Sequence, residues 1–469
     1  MIRKIENENK NNIKIYVSLL VALLIIVTSL FIKGGDELSS EGIKTIGILL
    51  AFLVILITNA LPIVVVSLLF VGLMALTKVT NNLGEALSGF SQPVVFFTLA
   101  SFGLAAAFTT TPLSKRILKG LLKKFGKSIN LVILSIMVCA CLVSSIISNV
   151  PTCAVFMAIS LNFLNLYQDE EDKKKAGKAL MVAVPISSMI GGMMTPAGSS
   201  INLLVIGLLE DFNGTTISFV EWMACGIPLA LIMLPIAWFL IIKIYKPVQV
   251  EKKEIDNFIE SIDVEKKMKD KEIKTIIIAS IMFILWILSS WISFFNVMVI
   301  SILGCAVLFF PGINVLDVNT FLKENSWDAF FLVGTVLSIG SAMVKNGVIS
   351  FISGLIPVVT LPTILFLMMV SLIVFLCLII LPVATSLVSI LTLPLLTIGL
   401  SSGVSGTLIA ITIALSACNC YLLPLDTVPL ITYSKGYYTI KDMIKVTSIL
   451  QVLLVIFIAL WVSLIGAIF

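Results

Sequence analysis

Residues 146–155 read IISNVPTCAV. Ser148, Asn149, a helix-breaking Pro151 and Thr152 interrupt what is otherwise continuous apolar sequence, and the nature of that sequence decides the fold. Of the 469 residues, 59% are hydrophobic and only 12% charged, with a mean hydropathy of +1.14, which excludes a soluble globular domain. Apolar stretches of about 20 residues, long enough as helices to cross a bilayer's hydrocarbon, recur from residue 13 onward without any alternating strand pattern. The expected fold class is an all-α polytopic membrane protein. Its formal net charge of +5 comes from Lys-rich connections beside the apolar stretches, a pattern that sets membrane topology rather than binding nucleic acid. There is no His, and no clustered acid pair or cofactor motif is visible, so the chain does not read as an enzyme. The eight Cys, including Cys139/Cys141 and Cys418/Cys420, lie almost entirely inside apolar stretches and read as small core fillers.

Charge bias orients the chain. Arg3, Lys4, Lys10 and Lys14 precede the first span while Lys33, Asp36, Glu37 and Glu41 follow it, so the N-terminus is expected on the cytoplasmic side, with an uncleaved first span rather than a signal peptide. Spans over 42–58 and 61–77 pair through a tight turn at Asn59–Pro62, and a fourth over 90–112 returns to the basic block LSKRILKGLLKKFGK. From residue 128 to 167 two apolar arms are joined by nothing longer than SNVPT, and Lys-rich sequence flanks both ends. This predicts a re-entrant hairpin that enters from the cytoplasm, its tip at membrane depth, where non-helical backbone must be solvated by protein or a water-filled cavity. Residues 179–210 carry Pro185, Gly191-Gly192, Thr195-Pro196 and Gly198-Ser199-Ser200, a cluster that predicts a helix broken in two. A span over 222–243 leads to the highly charged residues 246–274, expected as a solvated surface helix in a cytoplasmic linker.

The second half repeats this grammar. SWDAFFLVGTVLSIGSAMVKNG echoes SQPVVFFTLASFGLAAAFTTTP, two apolar arms flank Ala384-Thr385-Ser386, and a second broken helix surrounds Pro424–Pro429. Ser91 and Ser326, Ser148 and Ala384, and Thr195 and Thr427 are separated by 235, 236 and 232 residues, a duplication signal. The expected organisation is 1–41 as first span and outer loop, 42–245 as one repeat, 246–274 as linker, and 275–469 as the other repeat. Its outward hairpin falls over 361–400 and its broken helix over 404–430. An odd number of crossings separates equivalent elements, so the repeats are expected to be inverted, with about eleven transmembrane helices, two re-entrant hairpins and the C-terminus outside. Inverted repeats whose broken helices meet at the midplane are the architecture of alternating-access transporters.

The interruptions are polar and nearly uncharged: Ser144, Ser145, Ser148, Asn149, Thr152, Thr195, Ser199, Ser200 and Asn202 in one half, Thr385, Ser386, Asn419, Asp426 and Thr427 in the other. Hydroxyls, amides, helix N-termini and freed carbonyls together hold both an anion and a small cation. Any one hydroxyl is equally explained by bonding its own backbone or gluing helices, but clusters at matched offsets are not. Asp426 differs as an ionisable group beside a break, read as a sodium ligand, a titrating proton carrier or one partner of a structural ion pair.

SMIGGMMTPAGSSIN resembles the G-G-x-x-T-P-x-G-[ST]-x-x-N signature of the divalent-anion:sodium symporters, carriers of di- and tricarboxylates and sulfate. SNVPT is similar to that family's Ser-Asn-Thr tip, and LPLDTVPLITYSKGYY with IKDM is similar to its second broken helix. The resemblance covers essentially the whole chain. It implies a homodimer of elevator type in the cytoplasmic membrane, in contact with lipid, taking Na⁺ as coupling ion, a small anion as substrate and no other cofactor. Carried over by position, Ser148, Asn149, Thr152, Thr195, Pro196, Ser199, Ser200, Thr385, Ser386 and Thr427 would surround the anion. Ser144, Ser148, Asn149 and Gly198 would form a first sodium site, Thr385 and Asp426 a second. Three departures stand out: Val150 replaces the tip Thr, the second tip lacks Asn, and Asp426 replaces an uncharged residue. They leave open a proton-coupled carrier or cation/proton antiporter of the same superfamily that uses Asp426.

Overall fold

The computed structural model describes residues 2–58, 60–355, 361–381, 383–424 and 426–467; Asn59 of the expected turn, Pro382 beside the second tip and Leu425 beside Asp426 lie outside them. Every regular element among the described residues is a helix. Seven helices are long and apolar enough to cross a bilayer, or eight if the pair Pro93–Thr109 and Leu113–Phe125, bent by 60°, counts as one. Some of the other expected crossings fall on shorter apolar helices, such as Ile63–Leu76 and Val297–Val307.

The element order occurs twice. Pro93–Thr109, Leu113–Phe125, Ile129–Ile147, Asn149–Leu164, Glu170–Gly192, Ser200–Asn213 and Phe219–Tyr245 are matched by Trp327–Lys345, Val348–Leu355, Thr363–Ile380, Ala384–Ser401, Gly406–Cys418, Thr427–Tyr433 and Ile440–Gly466. The last helix of each set has 27 residues. Both carry outward apolar side chains, among them Leu231 and Phe239, Val452 and Leu464, which suit contact with hydrocarbon. From Ala176 onward Glu170–Gly192 is buried almost throughout, the mark of a central helix.

The two sets interlock crosswise around it. Ile129–Ile147 and Asn149–Leu164 both pack along Glu170–Gly192, and Thr427–Tyr433 packs on those last two. Reciprocally, Ser200–Asn213 packs on Ala384–Ser401 and Gly406–Cys418. Each break is therefore walled by pieces of the other half.

The linker contains the expected surface helix, Lys252–Ser261, but one of its faces is docked rather than solvated. Ile255, Phe258 and Ile259 are buried, and Phe258 meets Phe163 edge-on with ring centroids 5.0 Å apart. The amphipathic helix Leu113–Phe125 holds the linker from the other side: Lys119 Nζ donates to Ile262 O at 2.8 Å, and Arg116 donates to both Glu272 oxygens at 2.8 and 3.2 Å. That guanidinium keeps the Glu272 carboxyl below the usual carboxylate range.

Candidate functional site

The first tip is a single residue. Ile129–Ile147 and Asn149–Leu164 are joined by Ser148 alone, whose backbone sits at φ 97° and ψ 157°. Glycine enters that region freely, whereas another residue there carries about 1–3 kcal/mol of strain. Its neighbours hold it: Ser148 N donates to Ser144 O at 3.2 Å, and Ser148 O accepts from Thr152 Oγ1 at 2.8 Å. Pro151 lies in the first turn of the second helix, where a missing N–H leaves no helical bond unmade. The interruption starts a helix instead of damaging one.

Asn149 gathers three elements. Oriented by its surroundings, its NH₂ faces Ser144 Oγ at 2.9 Å, Ser188 O at 3.0 Å and Gly198 O at 3.3 Å. Ser144 belongs to the first arm, Ser188 to Glu170–Gly192 and Gly198 to the break. A Cβ on Gly192 would fall on the Asn149 side chain, and one on Gly191 would fall on Cys141 O. The adjacent glycines are thus the space through which the tip meets the central helix.

Thr195 and Asn202 hold the break itself. Thr195 Oγ1 donates to Ser145 O and accepts from Gly198 N at 3.1 Å. Asn202 Nδ2 donates to Gly192 O at 2.8 Å and Thr195 O at 2.9 Å, while Trp222 Nε1 donates to Met193 O at 3.1 Å. Backbone groups released by the break therefore find partners inside the protein, as membrane depth requires. After the turn Pro196–Gly198, Ser199 Oγ accepts from Ile201 N at 3.3 Å and caps Ser200–Asn213. Cys418 Sγ donates to Asn202 Oδ1 at 2.9 Å, tying the first break to the second half.

The second tip and break are built differently. Residues 381–383 separate Thr363–Ile380 from Ala384–Ser401, so Thr385 and Ser386 occupy the first turn of the latter. Ser386 is 2% exposed, and among the described residues its Oγ has no hydrogen-bond partner. Past Cys418, Asn419 Nδ2 donates to Leu415 O at 2.9 Å and its Oδ1 accepts from Tyr421 OH. Asp426 Oδ1 accepts from Thr427 N at 2.8 Å and caps Thr427–Tyr433. Among the described residues no Lys or Arg pairs with Asp426.

Of the residues chosen from the sequence, Ser144, Asn149 and Gly198 thus meet in one network, joined by Ser148, Thr152 and Thr195 through the bonds above. Ser199 and Ser200 open the following helix, and Pro196 lines a cavity of about 220 Å³ with Phe97, Leu203, Glu210 and Asn296. Among the described residues, no hydrogen bond joins Thr385, Ser386, Asp426 or Thr427 to this network. Sequence reasoning missed Ser188 and Trp222. A backbone acceptor such as Ser188 O carries no residue signature, whereas a buried indole N–H always seeks a partner and could have been flagged.

The site is rich in hydroxyl, amide and carbonyl groups, and among the described residues no group of three His, Cys, Asp or Glu could hold a metal ion. Two broken helices packed crosswise in a membrane body, lined mainly by neutral hydrogen-bonding groups, are an arrangement that secondary transporters use. The family model described as the sodium:sulfate symporter transmembrane region matches residues 13–468, and the chain belongs to that family. It is 25% identical to the sodium-dependent dicarboxylate transporter SdcS of Staphylococcus saprophyticus, over 96% of this chain and 93% of that one. It is 29% identical to the uncharacterized transporter MJ0672 of Methanocaldococcus jannaschii, over 84% and 87% of the two chains. Among solved structures, MtrF of Neisseria gonorrhoeae, from a class of antimetabolite efflux pumps, shares the fold with a TM-score of 0.60 at 10% identity, covering 96% of this chain and 94% of that one. The YdaH transporter of Alcanivorax borkumensis does so with a TM-score of 0.52 at 12% identity, covering 81% and 86%.

Proposed function

We propose that this chain is a sodium-coupled symporter that moves a small divalent anion, a dicarboxylate or sulfate, across the cytoplasmic membrane by alternating access. The observation that carries the reading is the Asn149 node, where an uncharged amide faces the Ser144 hydroxyl and the Ser188 and Gly198 carbonyls. Such oxygens are the donors a hard cation takes. The helices that begin at Asn149 and Ser200 place positive dipole ends near the same point, which favours an anion. Cation and anion then share one residue. A Na⁺ drawn to Ser144 Oγ and Gly198 O displaces the Asn149 NH₂, and a half-turn of the amide offers Oδ1 to the cation and NH₂ to the anion. In this reading Ser144, Ser148, Asn149 and Gly198 hold one Na⁺ and Thr385 with Asp426 a second, while Ser148, Asn149, Thr152, Thr195, Pro196, Ser199, Ser200, Thr385, Ser386 and Thr427 surround the anion. The SdcS relatives support the substrate class. The repeated element order supports a repeat, and its inversion, the elevator motion, the homodimer, an inner N-terminus and an outer C-terminus complete the proposal.

One observation favours a second reading, proton coupling through Asp426: the carboxylate is partly buried at a helix break with no cationic partner among the described residues. Uptake of labelled succinate and sulfate into proteoliposomes under imposed Na⁺ or H⁺ gradients separates the two. Accumulation driven by Na⁺ is the expected result. Accumulation that ignores Na⁺ and collapses in Asp426→Asn would assign coupling to Asp426, and movement of neither anion under either gradient would overturn the substrate class.

A further inference from the structure

A hydroxyl inside a helix ordinarily bonds a carbonyl three or four residues back. In Pro93–Thr109, Thr98 Oγ1 does so with Val94 O at 2.9 Å and Thr109 with Ala106 O, and just past its end Thr110 and Thr111 bond the carbonyls of Ala107 and Phe108. Ser101, in the same helix, is 7% exposed, and among the described residues its Oγ neither donates nor accepts. It lines a cavity of about 10 Å³ with Thr98, Ile147, Ser148, Ala197 and Ser200. Across this space stand the strained tip residue and the first residue of Ser200–Asn213. The volume is that of a single water-sized atom.

We propose that Ser101 is a further anion-contacting residue: its hydroxyl donates to one oxygen of the transported anion seated between Ser148 and Ser200. The proposal rests on the first tip being the anion site and adds a contact from outside the hairpin and the broken helix. An unpartnered buried hydroxyl carries a desolvation cost that a ligand oxygen removes, and Ser101 avoids the backbone bond its neighbour takes. The repeat supports the placement. Phe96-Phe97 recurs as Phe330-Phe331, 234 residues on, and the same step carries Ser101 to Thr335, which is also buried and, among the described residues, has its Oγ1 unpartnered.

The test is succinate uptake by the full chain in proteoliposomes at saturating Na⁺. Ser101→Ala is expected to raise the half-saturating succinate concentration about tenfold, the effect of one hydrogen bond to a charged group, with the maximal rate within about twofold of the parent. Ser101→Thr, which keeps the hydroxyl, is expected to restore succinate affinity to within about threefold by the same reasoning. A half-saturating concentration unchanged in Ser101→Ala overturns the proposal, as does an equal loss of maximal rate alone in the Ala and Thr variants. If Asn149→Ala abolishes uptake while Ser101→Ala matches the parent, the tip assignment stands and the Ser101 contact falls. If both match the parent, or the parent takes up neither succinate nor sulfate, both readings fall together.

Discussion

The two tips hold the same place in the repeated element order and are filled in opposite ways. At the first, Asn149 opens the second arm and reaches Ser144, Ser188 and Gly198, while Thr152 covers the carbonyl of the strained Ser148. At the second, Ala384 opens the equivalent arm, no side-chain amide is present, and the Ser386 hydroxyl is buried without a partner. Satisfied buried networks are rigid and specify one arrangement, whereas a buried group left unsatisfied needs a reason to exist. The comparison teaches that equivalent places in the element order carry different chemistry: the first tip is satisfied by its own side chains, while among the described residues the Ser386 hydroxyl of the second is not.

The largest effect that would break this contrast belongs to the first tip. Asn149→Ala is expected to lower succinate uptake about a hundredfold or more, since it removes a node contacting three elements, and Gly192→Ala should do likewise by crowding that side chain. Uptake retained in Asn149→Ala would make the tips equivalent. Next comes stability of the breaks, read as thermal unfolding in detergent. Thr195→Val strips Ser145 O and Gly198 N of a partner and should cost about 2–4 kcal/mol. Thr427→Val, at an exposed position of the second break, should cost under about 0.5 kcal/mol.

Ser386→Ala sharpens the contrast from the other side. Removing an unpartnered hydroxyl should leave stability unchanged or raise it by about 1 kcal/mol, while the half-saturating Na⁺ or succinate concentration rises severalfold. A fall in stability as large as that of Thr195→Val would mean the second tip is closed after all. The smallest effect concerns Asp426. As the cap of Thr427–Tyr433 it should tolerate Asp426→Asn within about 0.5 kcal/mol and lose about 1 kcal/mol in Asp426→Ala. A change in coupling ion in Asp426→Asn without any change in stability would separate the capping role from a transport role.

Much of this was legible in the amino-acid order because its causes are local. Apolar length, the Pro and Gly punctuation of 179–210, the pentapeptide at 148–152 and the recurring offsets are properties of short stretches, and they were enough for an all-helical membrane chain of repeated halves. Polar residues at the breaks, Ser144, Asn149 and Thr195 among them, could be picked out because hydroxyls and amides are costly in hydrocarbon unless used. Tertiary structure alone decided their partners. Ser188 and Gly198 enter through carbonyls that every residue possesses, so nothing in the sequence marks them. Asp426 could be recognised as unusual, but not as the cap of a short helix, and the charged linker could be recognised as a surface helix, but not as one docked by Arg116 and Lys119. Ser101 looks like any other helical serine until the fold places it opposite Ser148 with its own backbone bond unmade. Sequence supplied which groups were expensive to bury; only the meeting of distant segments settled which of them found partners, because a hydrogen bond depends on where two remote groups are brought together.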